Sequence, residues 1–435
     1  MLGASAFAGD SPDKPGTAKK SSAAPAVPQS PLQEVLPGWL QIGGQVRGRF
    51  DDPRGIGYNP DAGDAYFVER IRLDIMVRPV AQLRFYAQAQ DSRAWGYGSR
   101  AVLNSVHNPV DLRQGYVDYL SNESRGVQIR LGRQEMRLGA GRLVDSSDWS
   151  NVSRTYDAAR LALFRPGVRV DLIAGAPVLI DQCRLDRHKA GEHLYAGYAS
   201  LAKLVPRGNL QPYLLARTSL YAAPETGKAG DAHLYTAGLR LDGKLPARLD
   251  YALEVAKQWG PWSSDRISAI GGMYSLGWTV RPAGWKPRLS LDVHHASGDS
   301  DSKDGTRGTF DQMYAGNHGS LGITDQFGWK NMRMVKGGLE ITPCKKCKVS
   351  TDFREMYLAT TQDGLYAGSG TRSVLNRKAT SRHVGSEADM TVFYQFNRVW
   401  SAGIGVGRVF AGAYLAQSSQ GSDYTYPFFT WSGKF

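Results

Sequence analysis

From about residue 38 to the end of the chain, apolar and polar side chains alternate almost residue by residue. A period of two is typical of β-strands whose two faces meet different surroundings. In a helix, apolar residues would instead recur every three or four positions. One segment shows the pattern clearly, because Ile71, Leu73, Ile75 and Val77 alternate with Arg70, Arg72, Asp74, Met76 and Arg78.

Alternation alone fits a soluble sandwich as well as a membrane barrel, so the connections between segments decide the fold. About eighteen strand-like segments are readable, and short turns with Pro, Gly or Asn join alternate pairs, as at 165–167 and 396–398. Longer polar loops lie between them, the longest near 94–111, 299–328 and 360–381. Outer-membrane barrels have short periplasmic turns and longer extracellular loops. We therefore predict an all-β fold, a transmembrane antiparallel β-barrel of about 18 strands.

The composition agrees with this prediction. The 435 residues include 50 Gly, 21 Tyr and 10 Trp but only 42% hydrophobic residues, which makes the chain turn-rich and aromatic. No apolar run approaches the roughly 20 residues that a membrane-spanning helix needs. A spanning protein of this kind must close its sheet, because lipid offers no hydrogen-bond partner to an open edge.

The N-terminal part differs from the rest. Residues 1–8 end in Ala6-Phe7-Ala8 and have the form of a signal-peptide remnant with a cleavage site. Residues 9–37 are rich in Ser, Ala, Pro and Lys and predict a flexible periplasmic segment. The barrel is predicted over residues 38–435, in the bacterial outer membrane.

The cost of exposing a charged side chain to lipid shows which face of each strand points to the lipid and which to the lumen. An Arg that faces lipid at mid-membrane costs about 2–4 kcal/mol, so the Arg-bearing face must line the lumen. The net charge is +13, and its arginines are spread along the chain, which favours a lining over a nucleic-acid-binding patch. The predicted lumen residues are Arg70, Arg72, Arg84, Arg130, Arg160, Arg169, Arg217, Arg240, Arg248 and Arg288, with Arg133 at a strand end.

Acidic residues share the phase of these arginines. They could pair with them and leave a wall of ion pairs with no solute contact, which is the alternative to a solute-binding lumen. Basic residues outnumber the acids, and rings of charge are a known way for a pore to select ions. The acids are Asp74, Asp118, Asp171, Asp250, Glu254, Asp292 and Glu340.

Two segments resemble the bacterial alginate export family of outer-membrane barrels. The first, residues 131–163, reads LGRQEMRLGAGRLVDSSDWSNVSRTYDAARLAL, and the second, residues 295–332, reads HASGDSDSKDGTRGTFDQMYAGNHGSLGITDQFGWKNM. The resemblance implies an eighteen-stranded barrel with an electropositive constriction through which a polyuronate is secreted. The final segment, with Phe429, Trp431 and Phe435 at period two, is similar to the C-terminal assembly signal of such barrels.

The first of these segments contains the candidate constriction loop. Its residues form either a folded-in constriction or a hydrogen-bonded loop platform, and the sequence does not separate the two. The candidate residues are Arg137, Arg142, Asp148, Trp149 and Asn151, next to Arg133.

The expected partners are an anionic polysaccharide or oligosaccharide such as alginate, outer-membrane lipid and, as a further option, periplasmic export proteins. The alternative function is a structural sheath or docking partner for another envelope protein. No H-E-x-x-H or G-x-S-x-G motif is present, so we expect no enzyme, no cofactor and no nucleic-acid partner.

Two smaller features leave alternatives open. Cys344 and Cys347, in a predicted turn, form either a local disulfide or two idle thiols. The acidic cluster Asp299, Asp301, Asp304 and Asp311 is more typical of a solvated turn than of a Ca²⁺ site.

Overall fold

The computed structural model describes residues 36–98, 103–202, 204–224 and 228–435. In this part of the chain eighteen long strands form one antiparallel barrel, which closes where the first strand pairs with the last, from Gln45 opposite Lys434 to Asp51 opposite Phe428. The predicted fold class is confirmed. The predicted signal remnant 1–8 and nearly all of the N-terminal segment 9–37 lie outside the described residues.

The strands follow one another around the barrel in chain order. They are β1 Leu40–Asp51, β2 Tyr66–Val80, β3 Leu83–Trp95, β4 Asn108–Leu120, β5 Gly126–Gln134, β6 Tyr156–Arg165, β7 Val168–Leu179, β8 Glu192–Leu201, β9 Gly208–Ala222, β10 Gly230–Lys244, β11 Leu249–Trp262, β12 Asp265–Thr279, β13 Arg288–Ala296, β14 Met332–Cys344, β15 Cys347–Leu358, β16 His383–Gln395, β17 Trp400–Ala411 and β18 Tyr424–Lys434.

The two ends of the barrel differ in the length of their connections. Short turns such as 81–82, 166–167 and 345–346 lie at one end, together with the start of β1 and the end of β18. The longest loops, 135–155, 297–331 and 359–382, lie at the other end. The loops contain small elements of their own: the 3₁₀ turn Ile56–Tyr58, the strands Arg187–His188, Thr306–Arg307, Leu365–Tyr366 and Arg372–Val374, and the helix α1 Ala413–Ser418.

The outer face of the barrel is apolar. On β2, Ile71 and Leu73 are 52% and 46% exposed, whereas their neighbour Arg70 is fully buried on the inner face. This division repeats around the barrel and is the one that lipid requires, since charge on the outer face is destabilising. No helix among the described residues is long and apolar enough to cross a membrane.

The inside of the barrel is divided along its axis. Near the long loops it is filled by loops 135–155 and 297–331, which we call the plug. The plug buries Met136, Leu143, Phe310, Leu321 and Trp329 against inward-facing apolar residues of the strands, among them Leu194, Leu215, Leu234, Ile267, Met334 and Met356. Near the short turns, the interior is lined by charged and amide side chains.

Strand glycines make room for the plug. A Cβ atom at Gly271 on β12 would lie 2.7 Å from the Phe310 ring, and one at Gly407 on β17 would lie 2.8 Å from the Ile323 side chain. Residues 403–407, which read GIGVG, are thus part of a strand and do not open a helix. The close approach of backbone and loop explains why small residues stand here.

The topology can be tested with the native thiols, since Cys183 and Cys344 are both exposed, one in loop 180–191 and one in the turn at the opposite end. If short turns are periplasmic, an impermeant maleimide should label intact cells that retain only Cys183, and leave unlabelled those that retain only Cys344. Both variants should react after the outer membrane is disrupted. Labelling of Cys344 in intact cells would reverse the orientation.

Candidate functional site

Arginines on β1 and β2 meet the inward loop 135–155 at one carboxylate. Arg72 Nη2 lies 2.9 Å from Asp148 Oδ1, and Arg70 Nη1 lies 3.1 Å from the same atom. Ser153 Oγ also donates a hydrogen bond to this oxygen at 2.9 Å. Arg47 Nη1 donates to the Asp148 carbonyl at 2.9 Å. Asp148 therefore ties the loop to the barrel wall.

The charge environment of Asp148 is strongly positive. Burial by itself raises the pKa of the Asp148 carboxyl, but the guanidinium groups of Arg70, Arg72, Arg47 and Arg113 outweigh it and hold this pKa well below its ordinary value. The side chain is nevertheless 39% exposed, so water reaches the carboxylate from inside the barrel. The carboxylate is thus ionised throughout the physiological range.

Backbone and aromatic contacts hold the same loop in place. Arg49 donates to the Trp149 carbonyl at 2.7 Å, and its guanidinium lies 4.3 Å from the centre of a Trp149 ring. Asn151, fully buried, donates to the carbonyls of Glu69, Arg93 and Val106. Of the two alternatives left open by the sequence, the structure combines both: loop 135–155 is folded in and is also a hydrogen-bonded platform.

The two loops of the plug are joined to each other. Val144 pairs with Tyr314 in a parallel β-bridge, and Asp145 N donates to the Tyr314 carbonyl at 3.0 Å. Trp149 stacks on His318 with ring centres 4.1 Å apart. Arg142 is buried in the first loop, whereas Arg137 is half exposed and donates to the Ala140 carbonyl.

Nearer the short turns, most predicted lumen arginines are paired with wall carboxylates. Arg130 lies 3.1 Å from Asp118, and both Arg160 and Arg169 contact Asp171, at 2.9 and 2.8 Å. The others are paired as well: Arg217 with Asp311 of the plug, Arg240 with Asp242 and Glu254, and Arg288 with Asp250.

Arg84 differs from these neighbours. It is inward-facing and 7% exposed, its Nε is buried without a hydrogen-bond partner, and it makes no salt bridge within the described ranges. Its charged neighbours are Arg78 and Arg130 on one side of the balance and Asp118 and Glu123 on the other, so with Arg84 itself three positive groups face two negative ones. The ring of Tyr116 lies 4.2 Å from the Arg130 guanidinium and contributes an aromatic surface to this region.

Two predicted lumen arginines lie elsewhere. Arg133 is opposite Asp157 in the register and three residues from inward-facing Arg130, so it lies on the outer face, at the long-loop end. There it contacts Asp157 at 2.8 Å and donates to the Asp186 carbonyl. Arg248 is exposed in the turn before β11, because that strand begins one residue later, at Leu249.

Arg47, Arg49 and Arg113 are interior arginines that were not among the predicted site residues. Arg47 and Arg49 alternate with Gly48 on β1 and were detectable by the same period. Arg113 is hidden from a period-two reading, since the pairing of β3 and β4 shifts beside it, between Gln88 and Ala89. Such a bulge reverses the inward phase along the rest of the strand.

Charge is unevenly divided between the two halves of the wall. On β1–β9, which we call the basic wall, arginines outnumber carboxylates: Arg47, Arg49, Arg70, Arg72, Arg78, Arg84, Arg113, Arg130, Arg160, Arg169 and Arg217 against Asp51, Asp74, Asp111, Asp118, Asp171 and Glu192. On β10–β16 the order is reversed: Arg240, Lys244, Arg288, Lys336, Lys348 and Arg354 against Asp242, Asp250, Glu254, Asp265, Asp292, Glu340, Asp352, Glu387 and Asp389.

The acidic residues of loop 297–331 are engaged in hydrogen bonds and an ion pair. Asp299, Asp301 and Asp304 each accept a hydrogen bond from a backbone N–H two residues on, and Asp311 pairs with Arg217. Among the described residues, no group of three or more His, Cys, Asp or Glu side chains could hold a metal ion. Cys344 and Cys347 face each other across their turn as free thiols.

The chain matches the family model described as Alginate export over residues 38–428. No curated protein matches it. Solved structures with a similar fold include the outer membrane protein OpdK from Pseudomonas aeruginosa, with a TM-score of 0.59 and 11% identity over 91% of this chain and 98% of that chain. A BenF-like porin from Pseudomonas fluorescens Pf-5 has a TM-score of 0.61 and 10% identity, with coverage of 91% and 98%.

A third similar structure is OccD3 (OpdP) from Pseudomonas aeruginosa, with a TM-score of 0.60 and 10% identity over 97% of this chain and 95% of that chain. At these identities the likeness to solved structures shows the fold alone. The family match covers nearly the whole barrel and includes both segments in which the resemblance was recognised.

The plug core can be tested at Phe310, which is fully buried and has its ring centre 4.8 Å from that of Trp329. Truncating a buried Phe to Ala costs about 3–5 kcal/mol. We expect Phe310→Ala to loosen the plug and raise single-channel conductance. Phe353→Ala, on the lipid-facing side of β15, is the matched control and should leave conductance unchanged. Equal conductance in all three proteins would contradict a plug held by this contact.

The stability of loop 180–191, which contacts Arg133 through the Asp186 carbonyl, should depend on pH through the Asp186 carboxyl. Burial raises the pKa of the Asp186 carboxyl to about 6, and the Asp111 carboxylate adds to the effect. Because the folded pKa lies above the unfolded value of about 3.9, the stabilisation is complete below that value and is lost as pH rises through about 6. Amide exchange in residues 180–191, corrected for intrinsic rates, should therefore accelerate over this interval, and Asp186→Asn should remove the dependence.

Proposed function

The chain belongs to the alginate export family of bacterial outer-membrane barrels, and from this premise we propose that its lumen passes an anionic polysaccharide, such as alginate or its oligosaccharides. It is an outer-membrane channel by family and by fold. The solute and the role of the arginines are the parts that we propose here.

The observation that carries the proposal is the excess of arginine over carboxylate on the basic wall. A wall of this sign attracts polyanions along one side of the barrel and raises their local concentration. Paired arginines such as Arg130 and Arg160 still contribute to this field, because the positive groups outnumber their partners. Arg84 makes no salt bridge to a described residue, so no ion pair occupies its guanidinium near the short turns.

Arginine suits a polyuronate for geometric reasons. The planar guanidinium donates two parallel hydrogen bonds to a carboxylate and keeps its charge at every physiological pH. A polyuronate carries one carboxylate on each sugar, so a succession of arginines along the wall could bind successive sugars.

The alternative, a sheath or docking partner for another envelope protein, has less support. Its enclosed partner would need the space near the long loops, and there the chain's own plug packs against the wall. The family and the fold are those of transport barrels, and we propose no enzymatic activity.

The selectivity of the channel tests the proposal. Replacing Arg84, Arg130 and Arg160 together by Gln should shift the reversal potential in planar bilayers away from anions and weaken the block by an oligouronate. Losing a single charged hydrogen bond costs about 1.5–3 kcal/mol, which corresponds to about tenfold or more in affinity. The shift should be larger at low salt, because screening acts over about 10 Å at 0.1 M.

The matched control removes three positive charges from the opposite wall, through Arg240→Gln, Arg288→Gln and Lys336→Gln. It should change the reversal potential without weakening the oligouronate block. If the first variant folds and retains both its anion preference and its block, the basic wall does not bind the solute.

A further inference from the structure

The arginines around loop 135–155 exceed the carboxylates that neutralise them. Arg47, Arg70 and Arg72 converge on Asp148, and Arg113 joins them through the Ser153 carbonyl at 2.9 Å. In this group, which we call the arginine clamp, Asp148 pairs with Arg70 and Arg72, and Glu135 pairs with Arg113. Four guanidinium groups thus share two carboxylates.

Each member of the clamp is almost completely buried, with exposed fractions of 8% for Arg47, 0% for Arg70, 7% for Arg72 and 5% for Arg113. The Nε atoms of Arg47, Arg70 and Arg113 are buried and have no hydrogen-bond partner among the described residues. Buried guanidinium groups are normally fully hydrogen-bonded, since an unmade bond leaves the desolvation cost uncompensated. The clamp therefore has both charge and donor capacity that the chain itself does not use.

The carboxylate inside the clamp differs from the arginines in one respect: the Asp148 side chain is 39% exposed to the barrel interior. The position of the loop also does not depend on the Asp148 side chain alone. Arg47 and Arg49 donate to the carbonyls of residues 148–150, and Asn151 donates to the strand carbonyls of Glu69 and Arg93 and to the loop carbonyl of Val106. None of these contacts involves the Asp148 carboxylate. The side chain can leave while the loop stays.

We propose that the arginine clamp is a carboxylate-binding site for the solute, and that Asp148 is a built-in ligand which an incoming uronate carboxylate displaces. The proposal rests on the proposed function, since it takes a polyuronate as the solute. The two ligands present the same chemical group, so the forks of Arg70 and Arg72 that now receive Asp148 would receive the carboxylate of a sugar. Displacement moves Asp148 into the water of the lumen and requires no other rearrangement of charge.

Occupation of the clamp by Asp148, which we call self-occupancy, should lower the apparent affinity for a uronate. A site that is free in only a fraction of the molecules binds its ligand with an affinity reduced by that fraction. If Asp148 fills the clamp in nine molecules of ten, removing its charge should raise the apparent affinity for a uronate about tenfold. A carboxylate that were only part of a structural ion pair would have the opposite effect, because its loss would disorder the site.

The test compares Asp148→Asn with the wild-type barrel, using a defined mannuronate tetramer as the probe and block of single-channel current as the readout. Asn keeps the shape of the side chain and an oxygen that accepts the hydrogen bond from Ser153 Oγ, while it removes the charge. We expect about tenfold tighter block by the tetramer and no change in block by a neutral maltotetraose. Asp145→Asn is the matched control, because this acid lies in the same loop, beside Arg137 and outside the clamp.

A second variant covers the case in which Asp148→Asn does not assemble. Ser153→Ala changes no charge but removes the hydroxyl that donates to Asp148 Oδ1 and accepts from Arg72 and Arg70, so it should weaken the binding of Asp148, leave the clamp arginines freer to donate to a uronate, and tighten the block to a smaller extent. Block of equal or lower affinity in Asp148→Asn than in the wild type overturns the inference alone. Absence of uronate block in every protein, together with absence of anion preference, overturns the proposed function as well.

Discussion

The cost of placing an arginine in lipid, about 2–4 kcal/mol at mid-membrane, is the constraint on which this structure depends. Away from the strand ends it sends charged side chains inward and leaves the outside to Leu, Ile, Val and aromatic residues, as β2 shows with Ile71 outside and Arg70 inside. Closure of the sheet between β1 and β18 follows from the same solvent, which offers no partner to a free edge. The charges, once inside, must then be paired or remain in water.

The interior meets that requirement differently in its two halves. On β10–β16, the buried basic side chains have acidic partners close by, as in the contact of Lys336 with Asp292 and the group of carboxylates around Arg354. On the basic wall the carboxylates are too few, and the loop 135–155 supplies the missing acceptors as backbone carbonyls and as Asp148. The inward position of this loop is thus a consequence of the excess of arginine on the wall that it contacts.

Much of the fold could be predicted from the sequence because its determinants are local. Period-two alternation and short turns such as 165–167 fix strands and their order without knowledge of distant contacts. The residues of the site were harder to predict from the sequence. Arg113 is concealed by a bulge that only the pairing of β3 with β4 reveals, and the outward position of Arg133 follows from its register opposite Asp157. The plug depends on contacts between distant segments, such as Val144 with Tyr314, which no local pattern encodes.

The interior near the long loops is packed with apolar side chains, so the proposed passage of a charged solute requires a path around or through the plug. The apolar side of the plug packs on the strands around Leu194, Leu234 and Met334, where opening a path would expose buried hydrophobic surface. Its polar side meets the arginine clamp through hydrogen bonds and through the ion pairs of Arg70 and Arg72 with the partly exposed Asp148. The proposed polyanion brings carboxylates that can take the place of Asp148 in these contacts, so the path that we propose follows the basic wall, from Arg84 and Arg130 near the short turns to Arg70 and Arg72 beside the plug.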